Sequence, residues 1–471
     1  MKKIFTLLLA FTMVVSMFAG CGSTEGNQNQ PTQTASSTPS TEPVASETPK
    51  AAGEPAYIDA NAASLTGKVR FYTAFAGENG TDALIKEFNE HYPNVTVEAT
   101  VYKNSPDGNV ALDTSMMAAE ADVILSFGVA NTAKRWSSGM LMDLTDRLAA
   151  DNLDLVKEWG TDAYTYNDRA FVFPSGGLSL FVAINMDKWN AAGLGELPTE
   201  WTWDEYLEAC RKMTERDASG KTLVYGGTDF NQIDYWTYSI RQSKGFNAFY
   251  KEDGTSDFDN PLWAKVLQRE VDAEKEGIWH AKATYLADSS KSRDKILAGE
   301  VASGIESIIT RFITVTDTNF KIGYAPYPVN VKGEKNYMGG AIPNSFVGVA
   351  SNAQSPDAAY AFAKFCATQG NKYMYPAGHA ATWTGVNPDE VLEVVFGTKE
   401  AAEKKIDVDS FIANMIAVGQ PAYSEDNIVA FPEIQSIIEE YSQYVLIGEM
   451  TVDEAFVEMK KLADDAIKNA Q

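Results

Sequence analysis

Histidines, nucleophiles and carboxylates carry most covalent chemistry in proteins, and their spacing here supports little of it. The three histidines are His91, His280 and His379, and none has the His-Glu-x-x-His spacing that holds zinc on one helix face. No Gly-x-Ser-x-Gly turn presents a serine. No Gly-x-x-x-x-Gly-Lys-Ser/Thr loop cradles a nucleotide phosphate, so the chain supplies no energy from ATP itself. With 64 Asp and Glu residues, chance carboxylate pairs are inevitable and are no argument for glycoside hydrolysis, which needs two carboxyls at defined separations. The acidic run Lys251-Glu-Asp-Gly-Thr-Ser-Asp-Phe-Asp-Asn260 suggests calcium but lacks the EF-hand spacing and reads as a polar turn. No cofactor, metal or catalytic activity is expected. What remains is non-covalent recognition by aromatic and polar side chains on loops at strand ends.

The elements that would position such loops alternate. Residues 68–75 read as a strand running into the loop Ala76-Gly-Glu-Asn-Gly80, after which Thr81 caps a helix with Leu84, Ile85 and Phe88 inward. Residues 95–101 form a second strand, 112–119 a short helix and 121–126 a third strand. This order builds a parallel sheet with helices on its faces, and ligands gather at the carboxyl ends of such strands. Two further strands, 170–174 and 179–185, are separated by Ser175-Gly-Gly177, a flexible point. Thr202 and Glu205 form a capping box before a helix lined by Tyr206, Cys210 and Met213, and Thr451 and Glu454 repeat it near the end. Ser355-Pro356 opens another helix. Cys210 and Cys366 sit in apolar helical patterns and read as buried core thiols rather than a disulfide.

The first 21 residues address the chain. Lys2 and Lys3 precede an apolar run over 4–18, then Ala19-Gly20 and Cys21, an arrangement that resembles the signal of a bacterial lipoprotein. Phe18 departs from the usual Leu. The resemblance implies a signal peptide over 1–20, and a Cys21 carrying lipid (palmitate among its chains) at the extracellular face of the cell membrane. The other reading is an ordinary secretory signal. Residues 21–65 then hold the lipidated cysteine and a Ser/Thr/Pro-rich linker with little to bury, expected to be disordered with an r.m.s. span of roughly 35–40 Å. The net charge of −25, with 45% hydrophobic and 11% aromatic residues, is globular and argues against nucleic acid as a partner.

Further in, Ala183-Ile-Asn-Met-Asp-Lys-Trp-Asn-Ala-Ala-Gly-Leu194, followed by Pro198 and Trp201-Thr-Trp-Asp-Glu205, resembles the signature of the solute-binding proteins of carbohydrate ABC importers, the family 1, maltose-binding-protein-like group. Phe88-Asn-Glu-His-Tyr-Pro-Asn-Val-Thr-Val97, Gly139-Met-Leu-Met-Asp-Leu-Thr-Asp146, Leu297-Ala-Gly-Glu-Val-Ala302, Ala358-Ala-Tyr-Ala-Phe-Ala-Lys-Phe365 and Gly448-Glu-Met-Thr-Val-Asp-Glu-Ala455 agree with it in order and spacing. The resemblance implies an α/β, two-lobed periplasmic-binding-protein-like fold of type II, each lobe a mainly parallel sheet flanked by helices. One lobe would span 66–174 plus 344–380 and the other 175–343 plus 381–468, with hinges near Ser175-Gly-Gly177 and after Gly339-Gly340. It implies a monomer that binds a carbohydrate between its lobes and delivers it to ABC permease subunits, served by a separate ATPase.

Ligand contacts are expected at strand ends. Glu78 and Asn79 follow the first strand and Phe127 and Asn131 the third; a solvated capping loop is the alternative for the first pair. By the resemblance, Asp234, Tyr235 and Trp236 lie where stacking aromatics are presented, with core packing the other reading of Trp236. Arg311 is a hydroxyl-binding fork or a surface charge. Trp383 is expected to stack on ligand beside a lobe crossing. Glu306 stands where the family usually shows a small or aromatic residue, and its carboxylate departs from the pattern. Trp159, Trp189, Trp201, Trp203, Trp263 and Trp279 read as core, and Trp136 as core or cleft wall. The acidic balance and Glu306 lend weight to a binder of peptides, polyamines or other cations, and a surface glycan hydrolase is a third reading.

Overall fold

The computed structural model describes residues 55–160, 164–229, 235–288, 291–307, 318–416 and 429–470, within one compact unit, Ala52–Gln471. The signal, Cys21, most of the linker, Asp234 and Arg311 lie outside the described residues. No helix among the described residues is long and apolar enough to cross a membrane.

Two sheets organise the unit. The first contains β1 (Gly67–Thr73), β2 (Val95–Val101), β3 (Val123–Phe127), β4 (Val172–Leu178), β8 (Ile342–Val349) and β9 (Ala380–Ala381), in the order β9-β4-β8-β3-β1-β2. The second contains β5 (Phe181–Asn185), β6 (Ser303–Glu306) and β7 (Ile322–Pro326), in the order β6-β5-β7. Among the described ladders, β1–β2 and β1–β3 are parallel. Strands that enter from the other lobe pair antiparallel: β8 with β3 and β4, and β5 with β6 and β7. The direction follows from the crossings. Only Ser179 and Leu180 separate β4 from β5, so β4 ends, and β5 begins, at the boundary between lobes. Hence β1, β3 and β4 of one lobe and β6 and β7 of the other all present their carboxyl ends to that boundary.

Helices cover both faces of the first sheet. On one side α1 (Thr81–His91) and α6 (Pro356–Ala367) bring Leu84, Phe88, Phe362 and Phe365 against Val69 and Phe71. On the other, α2 (Pro106–Met117) packs Leu112 and Met116 against Ile124 and Phe346, and α3 (Val129–Ser137) follows β3. In the second lobe, alternate residues of β5 serve opposite cores, as the period of two requires: Val182 and Ile184 face α4 (Trp203–Met213), while Phe181 and Ala183 face α7 (Pro388–Phe396). A helical annex of α5 (Pro261–Glu276), α8 (Phe431–Leu446) and α9 (Val452–Ala470) encloses Trp236, Trp263, Ile438 and Met459. Both capping boxes are present, and Cys210 and Cys366 are buried and free.

Three local expectations change. Gly80, not Thr81, is the N-cap of α1, and the Thr81 hydroxyl instead donates to the Phe75 carbonyl at 3.0 Å. Ser175-Gly-Gly177 does not interrupt a strand. β4 runs through it beside β8, which lies too close for side chains: a Cβ on Gly176 would meet Ser345 Oγ of β8 at 2.5 Å, and one on Gly177 would meet Ala341, the residue before β8, at 2.7 Å. Residues 55–65, assigned to the linker, pack on the first lobe. Ala62 is buried there, Tyr57 and Ile58 are half-buried, and the wholly buried Lys364 donates to the Ala56 carbonyl and to Asp59 and Asp151 at 2.9, 2.6 and 2.6 Å. A buried ammonium needs such partners, which the linker composition does not advertise.

Candidate functional site

The adjacent ends of β1 and β3 bring three rings together. Beyond β1 the Thr73 hydroxyl oxygen accepts the Phe75 N–H at 3.1 Å, which turns the Phe75 ring edge-on to Phe127 at 5.4 Å. His379, one residue before β9, closes the group at 5.3 Å from Phe75 and 5.7 Å from Phe127. All three rings are half-buried. Burial lowers the His379 pKa to about 4, so its imidazole is neutral at pH 7 and offers one donor and one acceptor. Glu78 is exposed and Asn79 half-buried in the short 3-10 turn Gly77–Asn79 above them.

The β3–α3 turn adds polar groups. Gly128 has φ 77°, which favours glycine, and α3 starts at Val129 with no side-chain cap. Asn131 Nδ2 donates back to the Phe127 carbonyl at 3.1 Å. The Gly128 N–H donates to the Asn344 carbonyl of β8 at 2.8 Å, which ties this turn to a strand arriving from the other lobe.

Other expected contacts are placed elsewhere. Trp236 is 1% exposed in the helical annex, and its indole N–H donates to Ser442 Oγ at 3.0 Å. It is a core residue, because α5, α8 and α9 close around it. Tyr235 begins the 3-10 turn Tyr235–Thr237. Asp229, shortly before it, belongs to a buried cluster with Lys282 at 3.1 Å, which also meets Glu270 at 3.3 Å. Burial works against the Lys282 charge, and the two acids outweigh it, leaving its pKa above the ordinary value.

Trp383 is half-buried against the first lobe. Its indole N–H donates to Glu158 Oε2 at 2.9 Å, Tyr57 donates to the same oxygen at 2.8 Å, and the two rings meet edge-on at 5.1 Å. Its backbone N–H and that of Thr382 donate to Asn371 Oδ1 at 3.0 and 2.9 Å, while Asn371 Nδ2 donates to the Ser175 carbonyl at 2.7 Å. Trp383 thus fastens a lobe crossing to the first lobe and its polar handle is occupied.

Glu306 ends β6 at the boundary but is fully buried. The Ser292 hydroxyl donates to its Oε1, so it serves the start of the helix Ser292–Leu297. Burial pushes its pKa up to about 7, and its Oε2 has no partner among the described residues. The structure thus brings Phe127 and Asn131 together, adds Phe75 and His379, and leaves Glu78 and Asn79 on the turn that follows Phe75. Phe75 was detectable as the first aromatic beyond β1. His379 carried no local signal, because its partners come from distant strands.

The profile of the bacterial extracellular solute-binding proteins matches residues 50–373. Similar solved structures include a sugar transporter protein from Rhizobium etli in an open conformation, 17% identical with a TM-score of 0.67, the match covering 84% of this chain and 99% of that one. An ABC substrate-binding protein from Listeria monocytogenes, in complex with cycloalternan, is 18% identical at a TM-score of 0.61, covering 86% and 99%. The GacH receptor of Streptomyces glaucescens, solved unliganded and with acarbose, is 17% identical at 0.57, covering 86% and 100%. At these identities the likeness establishes the two-lobed, periplasmic-binding-protein-like fold.

Proposed function

Because the chain belongs to the bacterial extracellular solute-binding proteins, we propose that it captures a sugar or oligosaccharide between its lobes and delivers it to the permease of an ABC importer. A lipid on Cys21 would hold it at the outer face of the membrane. The observation that carries the carbohydrate reading is the ring group Phe75, Phe127 and His379 at the ends of β1 and β3. A pyranose presents flat C–H faces and a belt of hydroxyls. Aromatic rings suit the faces, and an uncharged imidazole, Asn79, Asn131 and Glu78 suit the hydroxyls. Neighbours of the same fold solved with cycloalternan and with acarbose support the choice.

The second lobe's share is assigned to Asp234, Tyr235 and Arg311. Trp236 and Glu306 drop out of the contact set because they are buried, and Trp383 because its indole N–H is taken by Glu158. We take the lobes as 66–174 plus 344–380 and 175–343 plus 381–468, with residues 55–65 added to the first and hinge motion at the crossings between them. A ligand touching both lobes binds the closed form better and shifts the population toward it. That closed form is what the permease would recognise.

The test is thermal unfolding of the chain from residue 22 onward, screened against maltose, acarbose, D-mannitol and longer glucans, with peptides and polyamines alongside. A ligand at one hundred times its dissociation constant stabilises by about 2.7 kcal/mol. Stabilisation by one sugar class, with the sugar recovered intact, supports the proposal. Stabilisation by polyamines alone refutes it, and recovery of cleaved sugar moves the chain to the hydrolases.

A further inference from the structure

Directly behind the β3–α3 turn lies a charge that the binding reading leaves unused. Arg135 of α3 is 1% exposed. Its Nε donates to Asp113 Oδ1 at 2.7 Å and one terminal nitrogen to Asn109 Oδ1 at 2.9 Å, both on α2. The other terminal nitrogen donates to Ser126 Oγ of β3 at 2.6 Å. Ser126 Oγ lies 2.8 Å from Thr132 Oγ1, and the Thr132 hydroxyl donates to the Gly128 carbonyl at 2.9 Å. The direction of this relay is forced at both ends, since a guanidinium can only donate and a carbonyl can only accept. Ser126 must therefore accept from Arg135 and donate to Thr132, which in turn donates to Gly128.

We propose that the Arg135–Ser126–Thr132 relay is a positioning device that presets the 127–131 turn for ligand, an inference that rests on the sugar-binding reading. Both faces of the Gly128 unit are held: its carbonyl by the relay at 2.9 Å, with the Thr132 N–H at 3.2 Å beside it, and its N–H by Asn344 of β8. The turn carries Phe127 in the ring group and Asn131 beside it. Burying a guanidinium is costly, and an apolar side chain of similar volume usually fills such a space with equal or better stability. What an apolar residue would not supply is a donor chain ending on one particular carbonyl. A preset turn spares the ligand the cost of ordering it.

Thr132→Val removes the last hydroxyl at nearly constant shape and leaves Arg135, Asp113, Asn109 and Ser126 in place, while Thr132→Ser keeps the hydroxyl. Amide hydrogen exchange across residues 127–132 is read on the ligand-free protein, and affinity is read with maltose, acarbose and D-mannitol as probes. Thr132→Val is expected to speed exchange in the turn roughly tenfold, as for the loss of one hydrogen bond, and to weaken the probe that binds by a similar factor. Thr132→Ser should stay within about twofold of the unmodified chain in both. Equal exchange in the two variants overturns the relay, and faster exchange with unchanged affinity overturns its role toward ligand. If Ser126→Ala behaves like the unmodified chain, the part assigned to Arg135 is overturned. If no sugar binds the unmodified chain, the functional reading falls, and the exchange comparison alone decides whether the relay presets the turn.

Discussion

Replacing Lys364 by Met should unfasten residues 55–65 from the first lobe. The Lys364 side chain is wholly buried, and its ammonium meets Asp59 and Asp151 at 2.6 Å each and the Ala56 carbonyl at 2.9 Å. Methionine keeps most of the stem volume and deletes all three bonds, leaving two carboxylates facing one vacated point. Breaking a buried ion pair by removing one partner costs about 3–5 kcal/mol. The acids are 20% and 18% exposed, so water relieves part of their repulsion and the lower end, about 3 kcal/mol, is expected. A unit spanning Ala52–Gln471 unfolds with an entropy of roughly 0.9 kcal/mol/K at about 2.1 cal/mol/K per residue, so the midpoint should fall by about 3–4 °C. The same substitution in a chain beginning at residue 66 should cost less by about 1–2 kcal/mol, because Asp59 and Ala56 are already gone. Calorimetry at pH 7 and low salt reads both. A shift under about 1 °C in the longer chain, or equal shifts in the two backgrounds, would refute the argument that Lys364 holds this segment.

Two groups whose pKa burial shifts should bend stability with pH in opposite senses. His379 has a folded pKa of about 4, below the ordinary 6.5, so its contribution is present above pH 6.5 and is lost as pH falls through 4; unfolding of His379→Phe should show a flatter acid limb. Glu306, raised from 4.5 to about 7, contributes below pH 4.5 and loses that contribution as pH rises through 7. Glu306→Gln should therefore gain up to about 3 kcal/mol at pH 8 and nothing below pH 4.5, and urea unfolding at the two pH values checks it. Trp236→Phe should cost about 1–3 kcal/mol of stability with sugar affinity unchanged by calorimetric titration; a tenfold loss of affinity at unchanged stability would return Trp236 to the binding surface. Asn371→Ala strips partners from Ser175, Thr382 and Trp383 at once and should cost about 2–4 kcal/mol, with a larger radius of gyration in small-angle scattering as the crossings loosen.

Elements with a strong local code were legible. Residues 95–101 form a strand with the expected bounds, because a Val-Thr-Val alternation after a proline admits little else. The Thr202 and Glu205 pair closes the box its spacing predicts, since both partners lie within one turn. The glycines at 176 and 177 were misread for an equally physical reason. Glycine breaks a strand when the chain must bend and continues one when a neighbour must come close, and only the position of β8 decides between them. The linker boundary failed in the same way. The Ser/Thr/Pro-rich stretch before them hides the change: residues 55–65 carry Tyr57, Ile58 and Leu65 against the first lobe's core, and Lys364, far along the chain, holds them there.

The site shows the same limit more sharply. Trp236 and Phe75 are both aromatic residues near strand ends or loops, and burial propensity favours either a core or a surface role for each. What separates them is the second side of the ring. Trp236 has Trp263 and Phe456 edge-on to it and Ser442 at its N–H, three partners drawn from helices that only the fold assembles. Phe75 has Phe127 and His379 beside it and remains half-buried, because β1 ends at the boundary between lobes and α1, starting at Thr81, runs back along the sheet face over Val69 and Phe71. A strand's carboxyl end is legible from the order of elements; whether the next aromatic is covered depends on where distant chain returns. Where β9 returns decides it: it leaves His379 beside Phe75, so that the aromatic surface is extended, and half-buried rings at a lobe boundary form a surface that a ligand can complete.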